Sequence, residues 1–196
     1  MKYKKRIIIL LLLSIGALIY TFWPNGKTLP VLHTVEPFQM NSITNEKYFF
    51  DNNTIKVIAF IYTNCPDICP MTMNDFKRLQ INLKEKDLFA NKVQLITMSF
   101  DPERDDKETL LKYAKAFEAD FNGWIWLHGT VTETERAISQ FKLIYKKTAS
   151  GYFSHQTKFY LVDKENRIRG IYEMTKPNVP FNHEQLLTDI DLLLNE

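Results

Sequence analysis

The segment Thr63-Asn64-Cys65-Pro66-Asp67-Ile68-Cys69-Pro70 holds both cysteines of this 196-residue chain. Two thiols with three residues between them and a proline after each can form a disulfide, exchange one, or hold a soft metal ion as thiolates. A structural staple explains the pair poorly, because a Cys65–Cys69 bridge closes so short a loop that it removes little entropy from the unfolded chain. Two buried apolar side chains would need this spacing and these flanking prolines by accident. Thioredoxin-type exchange uses C-x-x-C, whereas the extra residue here opens the pair enough to chelate without forbidding a disulfide. Soft thiolates select Cu(I) and also Zn(II), and an added imidazole nitrogen makes such a site acceptable to Cu(II).

The pair must be held by what flanks it. Lys56-Val-Ile-Ala-Phe-Ile-Tyr62 reads as a strand covered on both faces, and Met71 to Lys86 has helical period, with Met73, Phe76, Leu79, Leu83 and Ile81 on or near its inner face. The cysteines therefore lie at a strand end and a helix start, where backbone N–H groups and the helix dipole favour a thiolate. Upstream, Phe38 to Met40 and Lys47 to Phe50 suggest a short hairpin. Downstream, Val93 to Ser99 reads as a second buried strand and Glu108 to Phe117 as a second helix. Thr132 with Glu135 makes a capping box opening a third helix to about Phe141. Lys142 to Ser154 reads as a long polar loop. Lys158 to Asp163 and Ile168 to Tyr172 read as a hairpin, and Asn182 with Gln185 caps a last helix to about Leu194. This order predicts an α/β fold, a thioredoxin-like mixed sheet flanked by helices with an N-terminal β-hairpin extension.

A third ligand must come from His33, His128, His155 or His183. His33 falls in a linker and His183 in the first turn of the last helix, so solvation explains both. His128 follows Trp124-Ile-Trp-Leu127 at a strand end and reads as a satisfied edge histidine. His155 ends the polar loop just before a strand, where a layered fold can bring it over the cysteine edge, and it is the best third ligand. Met71 and Met73 read as packing, since their helical setting and the general use of Met in cores outweigh a thioether role.

Net charge is +2, and the basic excess resides in Lys2, Lys4, Lys5 and Arg6, which argues against nucleic-acid binding. Those residues precede an apolar run from Ile7 to Trp23, read as a single transmembrane anchor that is not cleaved, with the N-terminus cytoplasmic and the rest extracytoplasmic. The expected organisation is a basic tip and anchor over 1–23, a Pro-bounded linker over 24–36 and one domain over 37–196. The absence of an Arg- and Ser-rich transit peptide favours a bacterial cell membrane.

Together the residues resemble the Sco/SenC family of membrane-tethered copper proteins. The resemblance rests on Thr63-x-Cys65-Pro-x-x-Cys69-Pro70, on Ser99-Phe-Asp101-Pro-Glu-Arg-Asp105, and on Gly151-Tyr-Phe-Ser-His155 followed by Phe159-Tyr-Leu-Val-Asp163, and it covers about residues 36 to 194. It implies one copper ion, Cu(I) or Cu(II), bound through Cys65, Cys69 and His155. It also implies service in building the dinuclear CuA centre of cytochrome c oxidase, with the oxidase copper subunit as partner. Because exported thiols oxidise, an extracytoplasmic thiol reductant is expected to keep the cysteines reduced. Asp101 would be an acceptor orienting the site or a weak oxygen ligand for Cu(II), or simply an Asp-Pro turn start. Where the family often has V-D-H-[ST], this chain has Phe153-Ser154-His155-Gln156, so no acidic neighbour supports the histidine. The rival reading is a thiol–disulfide oxidoreductase or redox sensor, with Cys65 and Cys69 as the redox-active pair. A thiol peroxidase on the same fold is the weaker third.

Overall fold

In a computed structural model, the described residues are Tyr3, Ser14, 28–44 and 46–196. The expected anchor over Ile7–Trp23 lies outside them, and among the described residues no helix is long and apolar enough to cross a membrane.

The strands are β1 (His33–Thr34), β2 (Gln39–Ser42), β3 (Lys47–Phe49), β4 (Ile55–Ile61), β5 (Val93–Ser99), β6 (Trp124–His128), β7 (Tyr145–Lys147), β8 (Phe153–His155), β9 (Lys158–Val162) and β10 (Arg167–Glu173). The helices are α1 (Ile68–Glu85), α2 (Lys107–Ala116), α3 (Val131–Ser139) and α4 (His183–Leu194). Eight strands form one mixed sheet in the order β1-β10-β9-β4-β5-β6-β2-β3, while β7 and β8 form a separate two-stranded sheet. The centre is parallel, with β4 beside β5 and β5 beside β6, and β9 closes on β4 antiparallel. Every residue of β4 is buried, as a central strand covered on both faces must be. That includes Lys56, whose ammonium donates to the Thr54 carbonyl and Asn166 Oδ1 and lies 5.0 Å from the Phe50 ring centre. Burial lowers its pKa to about 8.

The thioredoxin-like mixed sheet and the β2–β3 hairpin agree with the sequence, while several local readings change. Helix α1 begins at Ile68 rather than after Pro70, so Cys69 and Pro70 sit in its first turn. A proline is tolerated there because first-turn N–H groups have no partner within the helix. Ile81 is exposed, not inward. The capping box is made by Thr130 and Glu133, two residues earlier than Thr132 and Glu135. Both pairs satisfy the pattern, and the chain turns into α3 directly after β6 and Gly129. Within the expected linker, His33–Thr34 pair with β10, and the guanidinium of Arg169 donates to the Leu29 carbonyl while pairing with Asp163 and Glu196. His183 is not merely solvated, because its Nε2 lies 3.1 Å from Asp75 Oδ1 on α1.

The largest departure is in residues 142–154, expected as a loop. They contain the antiparallel β7–β8 hairpin, with Tyr145 opposite His155 and Lys147 opposite Phe153. Its turn is closed by Thr148, whose N–H and hydroxyl both donate to the Tyr152 carbonyl, and by Gly151 at φ 82°, a conformation that favours glycine.

Candidate functional site

The sheet's carboxyl edge, where β4 gives way to α1, carries both thiols. Asp67 stands at the N-cap of α1 but makes no side-chain cap. Its place is taken by sulfur, since the Cys69 N–H donates to Cys65 Sγ at 3.4 Å and the Asp67 N–H points to the same atom. The Cys69 thiol donates its proton to Cys65, and with help from His155 and these amides this drives the Cys65 thiol far below its usual pKa, against the opposing effect of burial. The same hydrogen bond, with burial and the neighbouring negative sulfur, pushes Cys69 up. The pair therefore releases one proton easily and holds the other tightly. Cys65 is the accessible member, 9% exposed against 1% for Cys69, and both are free thiols.

Cys65 opens onto a cavity of about 340 Å³ that Tyr62, Ile68, Phe153 and His155 also line. His155 packs against Phe100 at 4.9 Å and Tyr62 at 6.1 Å between ring centres, and its Nδ1 lies 2.9 Å from the Gln156 carbonyl. A carbonyl only accepts, so Nδ1 donates to it, and Nε2 is the ring nitrogen left for Cys65. The structure thus brings Cys65, Cys69 and His155 to one edge, with His155 in hydrogen-bonding reach of Cys65. Among the described residues no three His, Cys, Asp or Glu side chains stand as a ready metal cage.

Asp101 does not line this cavity. It is buried at the side of the hairpin, 3.6 Å from Arg104 Nε and 3.7 Å from Lys147 Nζ, and its Oδ2 has no hydrogen-bond partner. Its neighbour in the same motif, Asp105, was not singled out from the sequence, yet it does more for the cysteines. Its carboxylate accepts the Thr63 N–H at 2.9 Å together with the Thr63 and Ser99 hydroxyls, so it ties the cysteine loop to the end of β5. Burial raises its pKa against those hydrogen bonds. The available signal was its position six residues after Ser99, within reach of two strand ends. His33 and His128 lie in β1 and β6, and His128 is half-buried with its pKa lowered by that burial. Met73 is fully buried, as packing requires.

Comparison with known proteins identifies the family and the fold. The SCO1/SenC family matches residues 30–191. The SCO1 protein homolog of Bacillus subtilis is 30% identical over 166 residues, covering 82% of this chain and 83% of the relative. The crystal structure of a SCO1/SenC family lipoprotein from Bacillus anthracis superposes with a TM-score of 0.74 at 26% identity, covering 84% of this chain and 97% of that one. The structure of BsSco, described as a member of the Sco family of cytochrome c oxidase assembly proteins with a disulfide switch, gives a TM-score of 0.72 at 27% identity. That match covers 85% and 98% of the two chains. With the family matched across nearly the whole described domain, the chain belongs to the SCO1/SenC family.

Proposed function

We propose that this protein is a copper metallochaperone that takes up one copper ion through Cys65, Cys69 and His155 and delivers it to, or prepares, the CuA centre of cytochrome c oxidase. The single observation that carries the reading is a thiolate-biased Cys65 sharing one cavity with His155, whose Nε2 is not taken up by the Gln156 carbonyl. The donors fit the cargo, since two sulfurs suit Cu(I) and the added imidazole extends the set to Cu(II). Copper displaces the shared thiol proton and draws Cys69 into a thiolate, so uptake releases protons. The open cavity then lets a partner's ligands replace these one at a time. Relatives support the cargo and the destination: a homologue from Stutzerimonas stutzeri is named a putative copper-binding protein, and BsSco belongs to oxidase assembly proteins. The oxidase copper subunit is accordingly the partner, with an extracytoplasmic thiol reductant upstream. The segment 7–23 anchors the domain on the outer face of a bacterial cell membrane, with 24–36 as tether.

A second reading is favoured by the asymmetry of the pair. Cys65 lines the cavity as attacking thiolate and Cys69 sits behind it as resolving thiol, as a thiol–disulfide oxidoreductase or redox sensor requires. Anaerobic titration of the reduced domain with Cu(I) and Cu(II) separates the two. Chaperoning requires one equivalent with thiolate-to-copper absorption, lost in Cys65→Ser and Cys69→Ser and weakened in His155→Ala. Copper uptake indifferent to His155 alongside persistent disulfide exchange favours the redox reading.

A further inference from the structure

The hairpin that carries His155 has two unlike faces. Tyr145, Phe153 and His155 turn inward, and each packs against the Phe100 ring. Side chains alternate along a strand, so the opposite face collects Ile144, Lys146, Tyr152 and Ser154, all exposed, with Lys142 exposed at its entry. Lys146 stands opposite Ser154 in the ladder. Ile144 is 69% exposed and Tyr152 45%. Tyr152 and Ser154 also line the Cys65 cavity, so this outer face is continuous with the mouth of the site. It is basic as well as apolar. From Ala137 to Val162 the chain has Lys142, Lys146, Lys147 and Lys158 and no carboxylate. Residues 28–196 as a whole are net acidic, with 20 basic side chains against 23 acidic once Lys2, Lys4, Lys5, Arg6 and Lys27 are set aside. Lys147 is held by Glu103 and Asp101, whereas among the described residues no carboxylate pairs with Lys142 or Lys146. Solvation accounts for lysines alone. It does not account for Ile144 and Tyr152 left open beside them at the mouth of a reactive site.

We infer that the outer face of the β7–β8 hairpin is the docking surface for the protein that receives the ion, and that this partner presents carboxylates around an apolar patch beside its own ligands. Carboxylates set against Lys142 and Lys146 steer the encounter and fix its orientation. Ile144 and Tyr152 lose water on contact and slow departure. Because the same strand bears His155, a partner seated here brings its ligands to the imidazole and the Cys65 cavity at once. A bilayer pressed on this face would instead seal the cavity, which favours a protein over an anionic lipid. The inference rests on the delivery reading for the identity of the partner, but docking is measured without copper.

The experiment is surface plasmon resonance between the reduced, metal-free full chain in detergent and the metal-free oxidase copper subunit. Wild type is compared with the double variant Lys142→Glu, Lys146→Glu and with Ile144→Ser. At low salt the charge reversal should slow association about tenfold, and the difference should close as salt rises to about 0.5 M. Ile144→Ser should leave association unchanged and speed dissociation about tenfold. Copper uptake and the circular dichroism spectrum should match wild type in both variants, because the altered side chains are exposed and lie outside the ligand set. Charge-reversed protein that associates like wild type overturns the inference, as does wild-type association indifferent to salt. Suppression of wild-type association by phosphatidylglycerol in mixed micelles, absent in the charge-reversed variant, would assign the face to anionic lipid and overturn it too. Copper uptake without any association with the subunit overturns the docking face and leaves uptake standing. Salt-dependent association by a chain that takes up no copper refutes the chaperone reading and leaves the docking face standing.

Discussion

Cys65 and Cys69 sit on backbone that follows a wholly buried central strand, whereas His155 rides on β8, which pairs only with β7 outside the main sheet. The cysteine loop is fixed by the Asp105 carboxylate through Thr63, by the start of α1, and by the amides that take Cys65 sulfur as their cap. The hairpin is held by less: aromatic contacts to Tyr62 and Phe100, the Phe153 N–H to Tyr62, and Lys147 to Asp101 and Glu103. A two-stranded hairpin is marginal in isolation, so such contacts decide its position. The difference suits the proposed role, in which an ion is both held and surrendered. Sulfur is preorganised, imidazole is deliverable, and the cost of opening falls on the hairpin.

The contrast can be broken most forcefully on the sulfur side. Cys65→Ala or Cys69→Ala should abolish copper uptake in the anaerobic titration while leaving the circular dichroism spectrum of the fold in place. Retained binding in either would show that the preorganised half is not the binding half. Next is Asp105→Ala, which leaves the Thr63 and Ser99 donors unpaired. It should cost about 3 kcal/mol in urea unfolding and weaken copper binding through loss of loop order. Asp105 also gives the contrast a pH signature. Because burial holds its folded pKa above the usual carboxylate value, its stabilising contribution is complete below that value and is lost as pH rises through the raised one. Relative to Asp105→Asn, which does not titrate, wild type should therefore lose stability across that window, and a gain there would reverse the assignment.

On the imidazole side the effects should be smaller. His155→Ala should weaken copper binding on the order of 10- to 100-fold with little change in unfolding free energy, because the altered side chain belongs to the loosely held element. A large loss of stability would show that the hairpin is part of the core after all. The smallest effect sharpens the electrostatics of the pair. Since Cys65 is held well below the ordinary thiol range, its alkylation by iodoacetamide should persist as pH falls below that range, while Cys69 stays unreactive. Equal reaction of both thiols with an ordinary pH profile would remove the asymmetry.

The same division explains what was legible in the sequence. The central strands and α1 announce themselves because long apolar runs and a 3.6-residue period are strong signals, and they place the cysteines at a strand-to-helix junction. His155 could be ranked above His33, His128 and His183 from its position before β9. The hairpin that carries it could not be read. Its strands are three residues each, two of the three in β7 are lysines, and only Ser150-Gly151 hints at their turn. Asp105 was hidden for another reason, as its partners Thr63 and Ser99 come together only when β4 and β5 align in parallel register. The competing capping boxes at Thr130 and Thr132 show the limit of a local pattern that two overlapping spacings satisfy equally.

X-ray absorption at the copper edge of the loaded, reduced protein, beside its His155→Ala variant, tests the central claim most directly. Two sulfurs and one imidazole nitrogen in wild type, with the sulfurs kept and the nitrogen lost in the variant, are the result expected of a preorganised thiolate pair completed by the hairpin. A wild-type copper environment with fewer than two sulfurs, or one whose imidazole signal survives His155→Ala, would contradict it.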